Sequence, residues 1–317
     1  MKVASIDIGS NTILMQIVEK TRYGEIQIIA EFQRFARLAE NLKLTGKVSD
    51  NAIVRAQKIM TLFSDICEEF SVDIVAAVAT SAVREAVNSK QVVQKLETSF
   101  NANRPKNNHL TIKTITGNEE AELAYRGTCF NDVELNTIID IGGGSTEIIT
   151  GQDGHIINKI SIPIGVVKLT EDLHITQPLS NYKALRVREH IKKQLAAVNK
   201  NNFGGRVIAV SGTPTTLVAI HLNLKEFDVS QINNFEFTRD VFSSVVSSVL
   251  QLELNTLTHH YGLEKYRADV LSAGTLMLDE IIKYLGKDSF TVSTSGLRHG
   301  LALQAIADYE KQLYIQL

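Results

Sequence analysis

Cysteine is scarce: the 317-residue chain has two, Cys67 and Cys129. Two thiols are too few for a disulfide framework or a closed zinc site, and both are expected to stay reduced and partly buried. Only four prolines occur, and no low-complexity tract marks a flexible linker. No uncharged apolar run reaches the length of a membrane span. The opening MKVASIDIGS reads as a buried strand, not as a basic leader with an apolar stretch behind it, so a cytoplasmic protein with no membrane partner is expected. Neither sign of charge is in excess. Thirty-three basic residues against 35 acidic ones give a formal net charge of −2, without a basic run or tail. Nucleic acid is therefore not an expected partner. An anionic ligand would have to be held by local groups, because the chain offers no global field to attract it.

What is present is ordinary globular material, 44% apolar and 21% charged, which excludes disorder, a collagen-like repeat and a coiled coil. The length suggests two domains. Short apolar blocks at 3–8, 13–18, 26–32, 73–78, 109–115, 156–162, 206–210 and 290–293 read as strands. Apolar spacing predicts helices over 49–70, 80–87, 89–100, from 118 onward, over 182–198, 239–250 and 269–285, and at the carboxyl end. Strands alternating with helices argue for an α/β protein.

One pattern occurs twice. An apolar strand ends in Asp7-Ile8-Gly9-Ser10-Asn11-Thr12 and returns as a second strand. The same order recurs in Asp140-Ile141-Gly142-Gly143-Gly144-Ser145-Thr146-Glu147. The two aspartates lie 133 positions apart, a separation that points to two related domains rather than a solenoid. Glycine lets a ligand approach the backbone closely, and successive turn amides can converge on one anion. Ser10, Asn11, Thr12, Ser145 and Thr146 add neutral donors. An aspartate cannot touch a phosphate without repulsion, so Asp7 and Asp140 suit a cation or a metal-bound water instead. A pair of tight hairpins without a ligand is the plainer reading of each copy taken alone.

The motifs DIGSNT at 7–12, RLAENL at 37–42, ATSAVREA at 79–86, TGNEEAELAYRG at 116–127, DIGGGSTE at 140–147, VSGT at 210–213 and SGLRHG at 295–300 come in an order that resembles the Ppx/GppA family. That family comprises exopolyphosphatases and guanosine pentaphosphate phosphohydrolases within the actin, sugar kinase and heat-shock ATPase superfamily. The resemblance implies an α/β protein of two ribonuclease H-like domains with an inter-domain cleft. The expected domains are 1–130, joined by a returning helix at 300–317, and 131–299. It also implies a homodimer. Larger members carry a further carboxyl-terminal helical module that this sequence does not extend into, so a polymer channel built by that module is not expected.

Hydrolysis of a terminal phosphoryl group needs an in-line water, a group to deprotonate it and cations to spread charge. The resemblance makes Glu120, the second glutamate of GNEEA, the general base. Glu119 then reads as a solvated first-turn acid favoured by the helix dipole. Asp140 and Glu147, with Asp7, are the implied metal carboxylates, and Mg²⁺ or another divalent cation is the implied ion. Arg84 is the implied substrate arginine, with a planar fork suited to phosphate oxygens, and Arg37 and Arg298 follow by the same logic. Two positions depart from the family pattern: Asn41 stands where glycine is usual, and His299 where glutamate is common. The expected substrates are inorganic polyphosphate or guanosine pentaphosphate. An ATP-dependent kinase of the same superfamily and a non-catalytic guanosine tetraphosphate sensor are the competing functions.

Overall fold

Five strands build the first sheet: β1 (Lys2–Ile8), β2 (Thr12–Lys20), β3 (Ile26–Phe35), β4 (Ile74–Ala79) and β5 (Ile112–Thr114), in the order β3-β2-β1-β4-β5. β1 lies at the centre. Val3, Ala4, Ile6 and Ile8 are all buried on it, which is why it reads as a continuous apolar run and not as an alternation. It pairs antiparallel with β2 and parallel with β4, which in turn runs parallel to β5. The edge strand β3 carries an irregularity where Ile17 faces Ala30 and Val18 faces Ile28, leaving Ile29 extra. A bulge of this kind twists an exposed edge away from pairing with another chain. The computed structural model describes residues 1–104 and 109–316.

Helix Asp50–Glu69 starts where the Ser49 hydroxyl accepts the Ala52 amide at 3.2 Å, and it buries Ile53, Ala56, Met60, Phe63 and Cys67 along one stripe. The last helix, Leu297–Gln316, packs back on this sheet: Ala302 and Ile306 meet Val3 and Val18, and Leu297 and Leu301 meet Val78 and Ile115. Met1–Gly127 and Leu297–Leu317 form one unit and Thr128–Gly296 the other. Residue 317 of the expected returning helix lies outside the described residues.

The second unit contains β6 (Asn136–Ile141), β7 (Thr146–Gln152), β8 (His155–Ile162), β9 (Arg206–Val210), β10 (Glu236–Thr238) and β11 (Ser289–Val292), ordered β10-β11-β9-β6-β7-β8. Taken as β8-β7-β6-β9-β11, it repeats the first sheet with the same strand directions, two antiparallel pairings followed by two parallel ones. β10 is an added antiparallel edge. Helix Lys265–Leu285 is buried almost all round, including Asp279 and Glu280. Those acids are paired rather than stranded. Arg188 contacts both, Arg239 donates to Asp279 at 2.9 Å and Lys283 at 2.7 Å. Burial opposes the Asp279 charge, but hydrogen bonds from Lys283 and Arg188 outweigh it and hold the carboxyl below its usual range.

Several elements escape sequence periodicity. Helices Val166–Asp172 and Gly212–His221 begin in valines, threonines and a proline. Strand β10 is three residues long, and a π-helical turn spans Thr256–His260. The last helix starts at Leu297, ahead of its expected start, and the strand expected over 109–115 narrows to Ile112–Thr114. Both cysteines are free and buried, more completely than expected, and burial pushes each thiol up to about 12. Among the described residues, no helix is long and apolar enough to cross a membrane.

Candidate active site

Each unit presents its glycine turn at the carboxyl ends of its parallel strands, where ligands bind in open α/β sheets. In the first, Ile8 faces Ile13 and the Gly9 amide closes the turn on the Thr12 carbonyl at 3.0 Å. In the second, Ile141 faces Thr146 and the Gly142 amide closes on the Ser145 carbonyl, also at 3.0 Å. The backbone behind each turn is then tied down. The Asn11 carbonyl accepts from Ala36 and Arg37 at 3.2 and 2.9 Å, and the Ser10 carbonyl accepts from Ala39 at 3.0 Å. In the second unit, Val166 donates to the Gly142 carbonyl at 3.0 Å and Val167 to the Gly143 carbonyl at 2.9 Å. A trans peptide points its N–H opposite to its C=O. Anchoring those carbonyls therefore turns the amides of Asn11 and Thr12, and of Gly143 and Gly144, away from the bracing segments. Gly165 makes the second brace possible, because a Cβ there would overlap the Gly143–Gly144 backbone.

Arg37 is brought to the first turn by its own backbone, which sits at φ 51°, a left-handed conformation that costs a non-glycine residue energy. Asn41 has φ 56° as well. That is the physical reason glycine suits the position and asparagine serves, since Asn tolerates this region better than other side chains.

Glu120 and Arg84 come together beside the same turn. β1, β4 and β5 are in register through Ile8, Ala79 and Thr114. The segments that follow these three ends thus lie within roughly 10 Å of one another, two strand spacings. Thr80 donates its amide to the Ile8 carbonyl at 3.2 Å, and helix Ser81–Glu85 follows. From that helix Arg84 reaches the Ile115 carbonyl at 2.8 Å and Glu120 Oε2 at 3.0 Å. Helix Gly117–Thr128 begins with a capping box: the Glu119 amide donates to the Thr116 hydroxyl at 3.2 Å, and the Thr116 amide donates to the Glu119 carboxylate at 2.8 Å. Glu119 also accepts from Lys113 at 2.6 Å. The Lys113 and Thr116 hydrogen bonds hold the Glu119 carboxyl down at about 2. With Glu119 committed to the cap on the solvent side, the roughly 100° step to the next residue turns Glu120 inward, where it is 8% exposed. Gly300 of the last helix lets that helix press on the Leu123 carbonyl and the Gly127 amide of the Glu120 helix, a space a Cβ would fill.

In the second unit Asp140 and Glu147 are directly opposite across the β6–β7 hairpin. Cross-strand partners project from the same face of a sheet. Asp140 accepts from the Ser211 hydroxyl, and Glu147 from the Ser161 hydroxyl at 2.7 Å. Ser211 is at φ 80°, and Gly212 beside it has no room for a Cβ against the Arg267 guanidinium. Burial raises the Asp140 carboxyl above its usual range, with the Ser211 hydrogen bond opposing it. A cation would offset that desolvation. Among the described residues no group of three or more His, Cys, Asp or Glu gathers into a metal set. Two opposed carboxylates could hold a divalent cation only if water or substrate oxygens completed its shell. Asp7 differs from Asp140 in this respect, because Leu14 occupies the position opposite it.

Two expected ligand groups are engaged elsewhere. The Thr146 hydroxyl donates to the Ile164 carbonyl at 2.7 Å in a fully buried position, so it is a structural tie and not a phosphate donor. Arg298 donates to Glu31 at 2.6 Å, and Gln16 donates to the same carboxylate at 2.8 Å. Gln16 lies four residues along β2 from Thr12, roughly 13 Å from the turn. The structure thus does not bring Arg298 to the Gly9–Thr12 turn. His299 stands 3.0 Å from Gln16 Oε1 in the same network. Burial, with the Arg298 charge, holds its imidazole below the usual range against the pull of Glu31. The partners Glu31, Ser161 and Arg267 were not singled out from sequence, whereas Ser211 belongs to the VSGT motif that was. Serines and surface-type charges carry no periodic signal.

Two sheets of one topology, each opening on a braced glycine turn, define a protein of the two-domain, actin-like class. The chain belongs to the Ppx/GppA phosphatase family, whose model matches residues 16–308. Members of that family are phosphohydrolases acting on phosphoanhydride bonds, and the chain is an enzyme of that class. It is 28% identical to a Mycobacterium tuberculosis protein named exopolyphosphatase 2, over 95% of this chain and 98% of that one. It is 29% identical to a Fusobacterium nucleatum bifunctional 3-dehydroquinate synthase/phosphatase over 96% of this chain, spanning 46% of that longer protein. A crystal structure of the Aquifex aeolicus Ppx/GppA family member superposes with a TM-score of 0.79 at 27% identity, covering 98% of each chain.

Proposed function

We propose that this chain is an exopolyphosphatase that removes the terminal phosphate of inorganic polyphosphate, with guanosine pentaphosphate as a further substrate. The observation that carries the reading is the inward-turned Glu120, held at 3.0 Å by Arg84 on the same sheet edge as the Gly9–Thr12 turn. Glu120 takes a proton from an attacking water as its oxygen bonds to the terminal phosphorus. The anhydride P–O bond breaks on the opposite side, giving orthophosphate and a chain one unit shorter. Arg84 and Arg37 offer guanidinium donors to phosphoryl oxygens, and the turn amides of Asn11 and Thr12 in the same unit offer fixed dipoles. Asp140 and Glu147 would hold Mg²⁺, which when bound neutralises charge on phosphate oxygens. Ser211 and Ser161 keep those two carboxylates oriented. The kinase alternative needs a phosphoryl acceptor besides water, and the requirement for an added acceptor is what separates it from the hydrolase reading.

Orthophosphate release from polyphosphate and from guanosine pentaphosphate, with and without Mg²⁺, tests the reading. Mg²⁺-dependent release from polyphosphate supports it. No release from either substrate, or ADP formation that requires an added acceptor, would overturn it.

A further inference from the structure

The Arg84–Glu120 pair rests on the far end of the chain. Helix Gly117–Thr128, which carries Glu120, meets the last helix, Leu297–Gln316, along one narrow line. Leu297 and Leu301 share an apolar cluster with Ile115 and Leu123, Gly300 lies against the backbone of residues 123 and 127, and Gln304 meets Arg126. Positions 297, 300, 301 and 304 fall on one face of a helix. Both members of the pair depend on this line. Ile115 supplies the carbonyl to which Arg84 donates at 2.8 Å. Leu123 stands three positions after Glu120, close to one helical turn. At Gly300 the contact is backbone on backbone. A Cβ there would stand 1.9 Å from the Leu123 carbonyl oxygen and 3.0 Å from the Gly127 amide nitrogen. Ordinary contact begins near 3.5 Å, so a methyl would force the two helices apart by about 1–2 Å.

The last helix is the better anchored of the two. Ala302 and Ile306 seat it on Val3 and Val18 of strands β1 and β2, and Glu310 pairs with Lys20 further along. The Glu120 helix is 12 residues long, against 20 for its neighbour. When the two are pushed apart, the shorter one yields, and Glu120 moves with it.

We propose that Gly300 is a positioning residue for the general base: its missing side chain sets how deep the Glu120 helix sits, and so where the Glu120 carboxylate meets the attacking water. The inference rests on the exopolyphosphatase reading, in which Glu120 is the base, and adds to it a residue that fixes the base from a distant part of the sequence. Gly300 acts through the backbone of residues 123 and 127, not on the substrate. A misplacement of about 1 Å at a reacting group costs on the order of a hundredfold in rate.

The test measures phosphate release from polyphosphate by the full chain carrying Gly300→Ala. kcat should fall about 10- to 100-fold, with KM within about twofold. Added to Glu120→Gln, the same change should lower the residual rate by no more than about twofold, because the group it misplaces is already gone. Independent, multiplying losses in the double variant overturn the proposal, as does an unchanged kcat in Gly300→Ala. If Gly300→Ala does not fold, Leu301→Ala and Ile306→Ala decide the matter. Both truncate a buried side chain of the same helix, but Leu301 clusters with Ile115 and Leu123, whereas Ile306 clusters with Val3 and Val18. Assayed well below either melting temperature, Leu301→Ala should lower kcat about fivefold more than Ile306→Ala. Equal losses overturn the proposal. If wild type releases no phosphate from polyphosphate, it is the exopolyphosphatase reading that fails. Crystal structures of wild type and of Gly300→Ala or Leu301→Ala then decide the positioning. Glu120 displaced by about 1 Å relative to strand β1 supports it. Glu120 unmoved overturns it.

Discussion

Glu120→Gln isolates the proton acceptor from everything else at the site. The amide is nearly isosteric, and its carbonyl oxygen still accepts from Arg84, now 3.0 Å from the carboxylate. What is lost is a place for the proton. Removal of a positioned general base lowers turnover about 10²- to 10⁴-fold. That corresponds to roughly 3–5 kcal/mol of barrier at about 1.4 kcal/mol per tenfold. The stability cost is much smaller. A charge-assisted hydrogen bond becomes a neutral one, a difference of about 1 kcal/mol for a pair whose side chains are 25% and 10% exposed. A first-turn negative charge at the helix amino end is also lost, about 0.5 kcal/mol more. For a unit of this size the melting temperature should fall by roughly 3–6 °C, far too little to unfold the protein at assay temperature. Single-turnover phosphate release should therefore collapse, while substrate affinity stays equal or tightens as a like charge is removed. A variant that keeps more than about a tenth of wild-type turnover would refute the assignment of Glu120 as the base.

Gly165→Ala forces a Cβ into the Gly143–Gly144 backbone and should cost about 1–3 kcal/mol by denaturant unfolding. Its phosphate affinity should fall with it, because the turn amides lose their brace. Asp140→Asn should abolish turnover yet raise the melting temperature of protein in divalent-free buffer, since a buried carboxylate is replaced by a neutral group that still accepts from Ser211. A lower melting temperature would show that the charge is already compensated. Glu119 is held down to about 2 by Lys113 and Thr116, so its contribution to stability is fully present above about pH 4.5 and is lost as pH falls towards 2. Thermal melts of wild type and Glu119→Gln should differ at pH 6 and converge towards pH 2, with kcat unchanged at neutral pH.

The parts of the site legible in the sequence are those the backbone itself builds. Asp7 to Thr12 and Asp140 to Thr146 are contiguous, and glycine in a strand-to-strand turn announces its geometry locally. Glu120 was placed through its motif, and the capping box of Thr116 and Glu119 supplies the physical reason it faces inward. What escaped depends on contacts between distant positions. Arg298 looks like a phosphate ligand until its partner Glu31, 267 residues earlier, is in view. Thr146 belongs to a glycine turn by sequence, but a carbonyl 18 residues on claims its hydroxyl. The bracing helix Val166–Asp172 opens on two valines that favour strands, and carbonyls of the glycine turn hold its first amides. The fold was easier to read than the site because short apolar runs and helix-spaced apolar residues recur along the whole chain, whereas a hydroxyl or a guanidinium gives no hint of which acceptor it will find.

The tethered glycine turns carry a cost for the working enzyme. A cradle already shaped when the ligand arrives spends no ordering entropy on capture. If the turns hold phosphate as proposed, a cradle shaped in advance would also accept the phosphate that is released. Orthophosphate retained there would compete with the next polymer end, so at high product concentration the tightness of the grip, and not the chemistry, would set the pace of successive cuts.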